Sequence, residues 1–113
     1  MTGKALIIAP TPAPSLISGN VILHNHTWYG HIRPAHTDVL LGHVRQAMND
    51  PCHIATSNTV PGTYLFVNTN AVNAAGQVLR VPVHPQGDGT NIVTSAYFAD
   101  ATNKNIVWNR GDA

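Results

Sequence analysis

The chain alternates short apolar runs with turn signals, and the period of each run predicts the element it forms. Lys4–Ala9 is a brief apolar run that reads as a strand. Pro10–Pro14 (PTPAP) then dictates an extended segment, because proline locks φ and biases its predecessor away from helix. Residues 1–19 are therefore expected to form an N-terminal strand and arm, and residues 20–113 a single domain. Ser18-Gly19-Asn20 marks a turn. Val21–Trp28 alternates as a strand does, with Ile22, His24, His26 and Trp28 on one side and Val21, Leu23, Asn25 and Thr27 on the other. Gly30 interrupts it, and Pro34 suits the first turn of a helix, where its missing N–H costs nothing. From Ala35 to Asn49 the positions Leu40, Leu41, Val44, Ala47 and Met48 recur at helical spacing, and Asn49-Asp50-Pro51 stops the helix.

Beyond a polar loop at His53–Gly62, Thr63–Asn68 (TYLFVN) is apolar on both faces and predicts a central strand. A turn rich in Asn, Ala and Gly follows to Gly76. Gln77–Val83 then places Leu79, Val81 and Val83 on one face and Val78, Arg80 and Pro82 on the other, with Pro82 pointing to a sheet edge. His84–Gly89 reads as a loop, Asn91–Phe98 as a strand, and Ile106–Trp108 as a short closing strand. The expected fold is α+β: a small twisted antiparallel sheet with one main helix packed on one face. Its core is expected to hold Tyr64, Phe66, Leu79, Val81, Leu40, Val44 and Met48.

Composition narrows the function. The chain has 113 residues, enough for one core, with 43% hydrophobic and only 10% charged residues; every acid is Asp. The formal net charge of +1 does not by itself point to a nucleic-acid partner, although seven histidines add positive charge as the pH falls. Cys52 has no second cysteine to pair with, and after Pro51 it reads as a bland thiol. The apolar run Ala5–Ala9 falls far short of the ~20 residues needed to span a bilayer. It also lacks the layout of a signal peptide, so no membrane association is expected and a cytoplasmic location is.

The groups able to move protons near neutral pH gather at the junction of the second strand and the helix: His31, Arg33 and His36. A helix N-terminus favours anions, an arginine grips phosphate through paired hydrogen bonds, and an imidazole there accepts a proton. Ser95 and Tyr97 lie two apart and share a strand face, while Thr94 points the other way. These parts suit phosphoryl-transfer chemistry without a metal or other cofactor. A metal site is the rival enzymatic reading, since His24-Asn25-His26 puts two ligands on one strand face. It then needs a third ligand, for which His43 is the candidate, and the chain has no Cys/His cluster of zinc spacing and no Glu for a cupin site. A binding or accessory module with structural histidines is the non-enzymatic reading.

The ordered segments HTWYGHIRPAH, the helix ending NDP, TYLFV, QVLRVPV and IVTSAYF resemble the phage-associated barnase–EndoU–colicin E5/D–RelE-like nucleases, over about Val21–Phe98. The resemblance implies a barnase/RelE-like ribonuclease fold without a metal, an RNA substrate cleaved through its 2′-hydroxyl, and an inhibitor or immunity protein as a further partner. It carries the family's two histidines onto His31 and His36 and its hydroxyl–aromatic element onto Ser95 and Tyr97, with Thr94 the alternative to Ser95. Arg33 lies between the histidines, and Thr94 and Arg80 are the added candidates for holding substrate.

Overall fold

A computed structural model of the chain describes residues 4–102 and 104–110; residues 1–3, Asn103 and 111–113 lie outside that description. The strands are β1 (Ala5–Pro10), β2 (Asn20–His24), β3 (His53–Thr56), β4 (Tyr64–Val72), β5 (Val78–Pro85), β6 (Thr90–Val93), β7 (Tyr97–Ala99) and β8 (Ile106–Asn109). Three short helical pieces follow β2: α1 (Asn25–Thr27), a π-helical turn (Trp28–Ile32) and α2 (Arg33–Ala35). A longer helix, α3 (Leu41–Asn49), comes next. The result is an α+β fold on one eight-stranded sheet in the order β1-β2-β6-β5-β4-β3-β8, with β7 also paired to β5.

All the strand pairs are antiparallel except β2 and β6, which run parallel with Val21 opposite Asn91. A wholly antiparallel sheet was expected; the parallel pair joins segments far apart in the chain, which no local pattern reveals. Its starting end is pinned by Asn91, 1% exposed, whose side-chain amide donates to the carbonyls of Ser18 and Asn20. Gly19 takes φ +86°, and a Cβ there would lie 1.7 Å from the carbonyl oxygen of Gly89, so the turn that starts β2 requires glycine.

The core lies between the sheet and α3, which packs on β4 and β5. Phe66, Leu79, Val81 and Val83 meet Val44, Ala47 and Met48, all fully buried, with Tyr64 packed at the margin. Asn68 is buried among them and satisfied: its amide donates to the His43 carbonyl and to Gln46 Oε1, and its Oδ1 accepts from the Asn70 N–H. Leu40 departs from expectation. The helix starts at Leu41 rather than at Ala35, so Leu40 precedes it and is 58% exposed, while Val39 is buried. The Pro10–Pro14 segment is not a detached arm either. Thr11 N–H bonds to the Gly19 carbonyl, and Ala13 and Ile17 enter the core. The predicted loop at His53–Gly62 opens with β3, and β4 runs on through the predicted turn to Val72.

Two local breaks set up the site. The strand expected to reach Trp28 stops at His24, and the chain coils. Within that coil Pro34 can neither donate to the Gly30 carbonyl nor let it approach, and the turn widens so that the Arg33 N–H reaches the Trp28 carbonyl instead. Trp28 and Ile32 anchor this hook in the core, leaving Tyr29, His31 and Arg33 exposed. The second break splits the strand expected over Asn91–Phe98. Pro82 sits within β5 in the body of the sheet rather than at an edge, and its carbonyl accepts the Thr94 N–H at 3.0 Å. Because a strand residue's N–H and C=O face the same neighbour, the donor that Pro82 lacks is missing on that same side. The partner chain bulges there: three steps along β5, Arg80 to Val83, oppose four steps from Val93 to Tyr97.

Candidate active site

The bulge decides where Tyr97 points. Val93 is paired with Val83 and buried on the α3 side. Plain alternation would return Tyr97 to that side, four residues on. The extra residue flips the phase, so Tyr97 pairs with Arg80 on the open face, away from α3. Ser95 lies within the bulge, outside either strand. Its face is thus not fixed by strand alternation with Tyr97, as the sequence had led us to expect.

The parallel pair explains why these residues meet the histidines. Parallel strands leave a sheet at the same end, so the hook after β2 and the bulge after β6 emerge side by side. Across the junction His31 Nε2 and Ser95 Oγ are hydrogen-bonded at 3.1 Å. The rings of His31 and His36 stand edge to face at 5.7 Å, and His36 lies 6.2 Å from the Tyr97 ring, tilted by 43°. His31 is exposed, and His36, Ser95 and Tyr97 are half-buried. The hydroxyl beside His31 is that of Ser95; Thr94 is exposed and lines the neighbouring part of the open face beside Pro82 and His84.

Arg33 is placed elsewhere. Its guanidinium lies over the Tyr29 ring at 5.9 Å, a cation–π contact on the outer side of the hook. The expected anion site at a helix N-terminus is also absent from the junction, because α3 starts at Leu41, five residues past His36. Arg80 supplies the cation on the open face. It stands in a row that crosses four strands in direct register: His53 on β3, Val67 on β4, Arg80 on β5 and Tyr97 on β7. These residues floor a groove of about 410 Å³ that also touches Asn58, Lys104 and Asn105.

Sequence reasoning missed two histidines on this face. His53 was assigned to a loop; its place in β3 emerges only from pairing with β4 and β8. Burial, and then the nearby charge of Arg80, hold its pKa below the ordinary histidine value, which favours the neutral ring. His84 was likewise assigned to a loop but lies within β5, one residue before its end, where its Nδ1 meets the Oγ1 of buried Thr63 at 3.2 Å. His24 and His26 stack at 5.5 Å although His26 has left the strand. Among the described residues no group of three or more His, Cys, Asp or Glu side chains is placed to hold a metal ion. Cys52 receives the Thr69 hydroxyl and takes no part in the site. Among the described residues no helix is long and apolar enough to cross a membrane. Comparison with known proteins finds no match among protein-family models, curated proteins or solved structures.

Proposed function

We propose that this protein is a metal-independent endoribonuclease that cleaves RNA by transesterification, on a barnase/RelE-like variant of the α+β fold. The observation that carries this reading is the pair of imidazoles, His31 and His36, held 5.7 Å apart beside two hydroxyl-bearing side chains at the end of an open groove. A hydrogen bond of about 3 Å from each side is the reach required of an acid and a base that flank one phosphate.

The reaction needs no protein nucleophile. One imidazole takes the proton of the 2′-hydroxyl as its oxygen bonds to phosphorus. The bond from phosphorus to the 5′-oxygen breaks, and the other imidazole protonates that oxygen. The products are a 2′,3′-cyclic phosphate and a free 5′-hydroxyl. Ser95 acts on His31: a hydrogen bond to Nε2 fixes the ring's orientation and couples its tautomer to the serine hydroxyl. Tyr97 and the imidazolium formed during turnover offer donors to the charge that develops on the phosphate oxygens.

Purified protein incubated with RNA in excess EDTA is expected to yield fragments ending in 2′,3′-cyclic phosphate, and to leave DNA of the same sequence intact. Cleavage abolished by chelator would exclude the metal-free route. Equal cleavage of DNA would exclude the 2′-hydroxyl as nucleophile.

A further inference from the structure

The imidazole pair accounts for one end of the open face, but the groove beyond Tyr97 is left without a role. We propose that this groove is a nucleotide subsite that holds the base and phosphate of a nucleotide next to the scissile bond. The inference rests on the ribonuclease reading for the substrate's orientation, and on the groove itself for its chemistry.

Four features argue for a nucleotide. The first is continuity: Tyr97 borders both the His36 ring and the groove, so one strand of RNA passing the imidazoles runs directly into it. The second is size and shape. A volume of about 410 Å³ lies within the range of small-ligand pockets. From Tyr97 to His53 the row spans three strand spacings, roughly 14 Å, which suits one nucleotide and is too short for a duplex.

The third is charge. Arg80 donates through Nη2 to the main-chain carbonyl of Asp100 at 2.6 Å, not to a carboxylate. The Asp100 carboxylate also lines the groove and accepts from the Gln77 amide, but no carboxylate of the described residues forms a salt bridge with Arg80, and most of its five donors stay available. Lys104 brings a second cation to the same groove. The fourth is a platform and an edge reader. Tyr97 offers a ring for a base to stack on, over an apolar floor of Leu65, Val67 and Val78. Across the groove a neutral His53 presents one donor and one acceptor, and the Asn105 amide, already bonded to Asn58 Oδ1, keeps its own oxygen for a further bond. A cation for the phosphate, an aromatic face for the base and amides for its edge are what a nucleotide uses and a bare anion does not.

Calorimetric titration of the four ribonucleoside 5′-monophosphates tests the inference, with wild type, Arg80→Gln and His31→Gln compared and inorganic phosphate as competitor. At least one nucleotide is expected to bind wild type and His31→Gln alike, and Arg80→Gln to bind it roughly 10- to 100-fold more weakly, as for loss of a charged hydrogen bond. Arg80 also ties β5 to the Asp100 main chain, so Lys104→Gln, at an exposed position, gives a second variant that leaves the fold untouched; weaker nucleotide binding is expected there too. Nucleotide binding unchanged in both variants, or inorganic phosphate competing as well as the nucleotide, would overturn the subsite. RNA cleavage without any nucleotide binding refutes the subsite and leaves the ribonuclease reading in place. Arg80-dependent nucleotide binding without RNA cleavage does the reverse.

Discussion

Replacing His31 by glutamine separates a catalytic role from a structural one. The ring is exposed, and its bond to Ser95 is the contact at stake. An exposed hydrogen bond contributes at most about 0.5–1.5 kcal/mol, and a glutamine amide can partly replace it. At roughly 4 °C per kcal/mol for a domain of this size, thermal unfolding should shift by less than about 6 °C. Proton transfer by a positioned imidazole contributes typically 10²–10⁴-fold, about 3–5 kcal/mol of barrier at 1.36 kcal/mol per tenfold. Glutamine cannot carry a proton in this way. The variant should therefore melt almost normally while cleaving end-labelled RNA at least ~100-fold more slowly. Ser95→Ala, which leaves the ring in place but frees its orientation, should slow cleavage less than His31→Gln does. Near-normal cleavage by His31→Gln, or a loss of activity matched by a fall in melting temperature well beyond 10 °C, would refute the catalytic assignment.

Three further outcomes test the scaffold. His53 has a folded pKa below its unfolded value, so the unfolded chain binds the proton more readily and the stability held by the neutral ring is present above the ordinary histidine range. That stability falls as pH drops through the folded pKa, and His53→Asn should flatten the decline in urea midpoint between neutral and mildly acid pH; an unchanged slope would exclude His53 as its source. Gly19→Ala should cost at least about 1–2 kcal/mol from the left-handed φ alone, with the clash against the Gly89 carbonyl added, and urea denaturation of the variant measures it. Met48→Ala, fully buried, should cost roughly 2–5 kcal/mol, whereas Leu40→Ala should stay within about 0.5 kcal/mol; equal losses would contradict the placement of Leu40 outside the core.

Local chemistry was readable in the sequence wherever it was decided locally. The alternation in β5, the central place of β4, the stop at Asn49 and the proximity of His31 to His36 all follow from neighbours in the chain. What escaped detection depends on distant partners. Pro82 was taken to mark an edge, yet a central strand tolerates it because the opposing chain carries an extra residue between Val93 and Tyr97 and meets Pro82 only through the Thr94 N–H on its carbonyl. That bulge in turn defeats period-two reasoning about Ser95 and Tyr97. Pro34 was legible as a helix residue but not as the cause of a π turn, and His53 joins the groove only because β3 finds β4 and β8. Arg33 was favoured over Arg80 for nearness in sequence, whereas the sheet register places Arg80 beside Tyr97.

The parallel pairing of β2 with β6 also fixes when the cluster of His31, His36, Ser95 and Tyr97 can exist. Asn20 and Thr90 are 90 − 20 = 70 residues apart, whereas Val72 and Val78 close the β4–β5 hairpin across 78 − 72 = 6. Chain closure scales as (3/2)RT ln n, so joining β2 to β6 costs about 2 kcal/mol more than closing that hairpin. The hairpin therefore forms early and the β2–β6 contact late. Because β6 also closes a short hairpin on β5, pulse-labelled hydrogen exchange should protect the amides of β4 and β5 before the amides that bond β2 to β6; the opposite order would contradict this sequence of events. During synthesis His31 and His36 leave the ribosome more than half a chain before Ser95 and Tyr97. Until β2 and β6 meet, His31 and His36 lack Ser95 and Tyr97 beside them, so a growing or half-folded chain holds the four side chains apart.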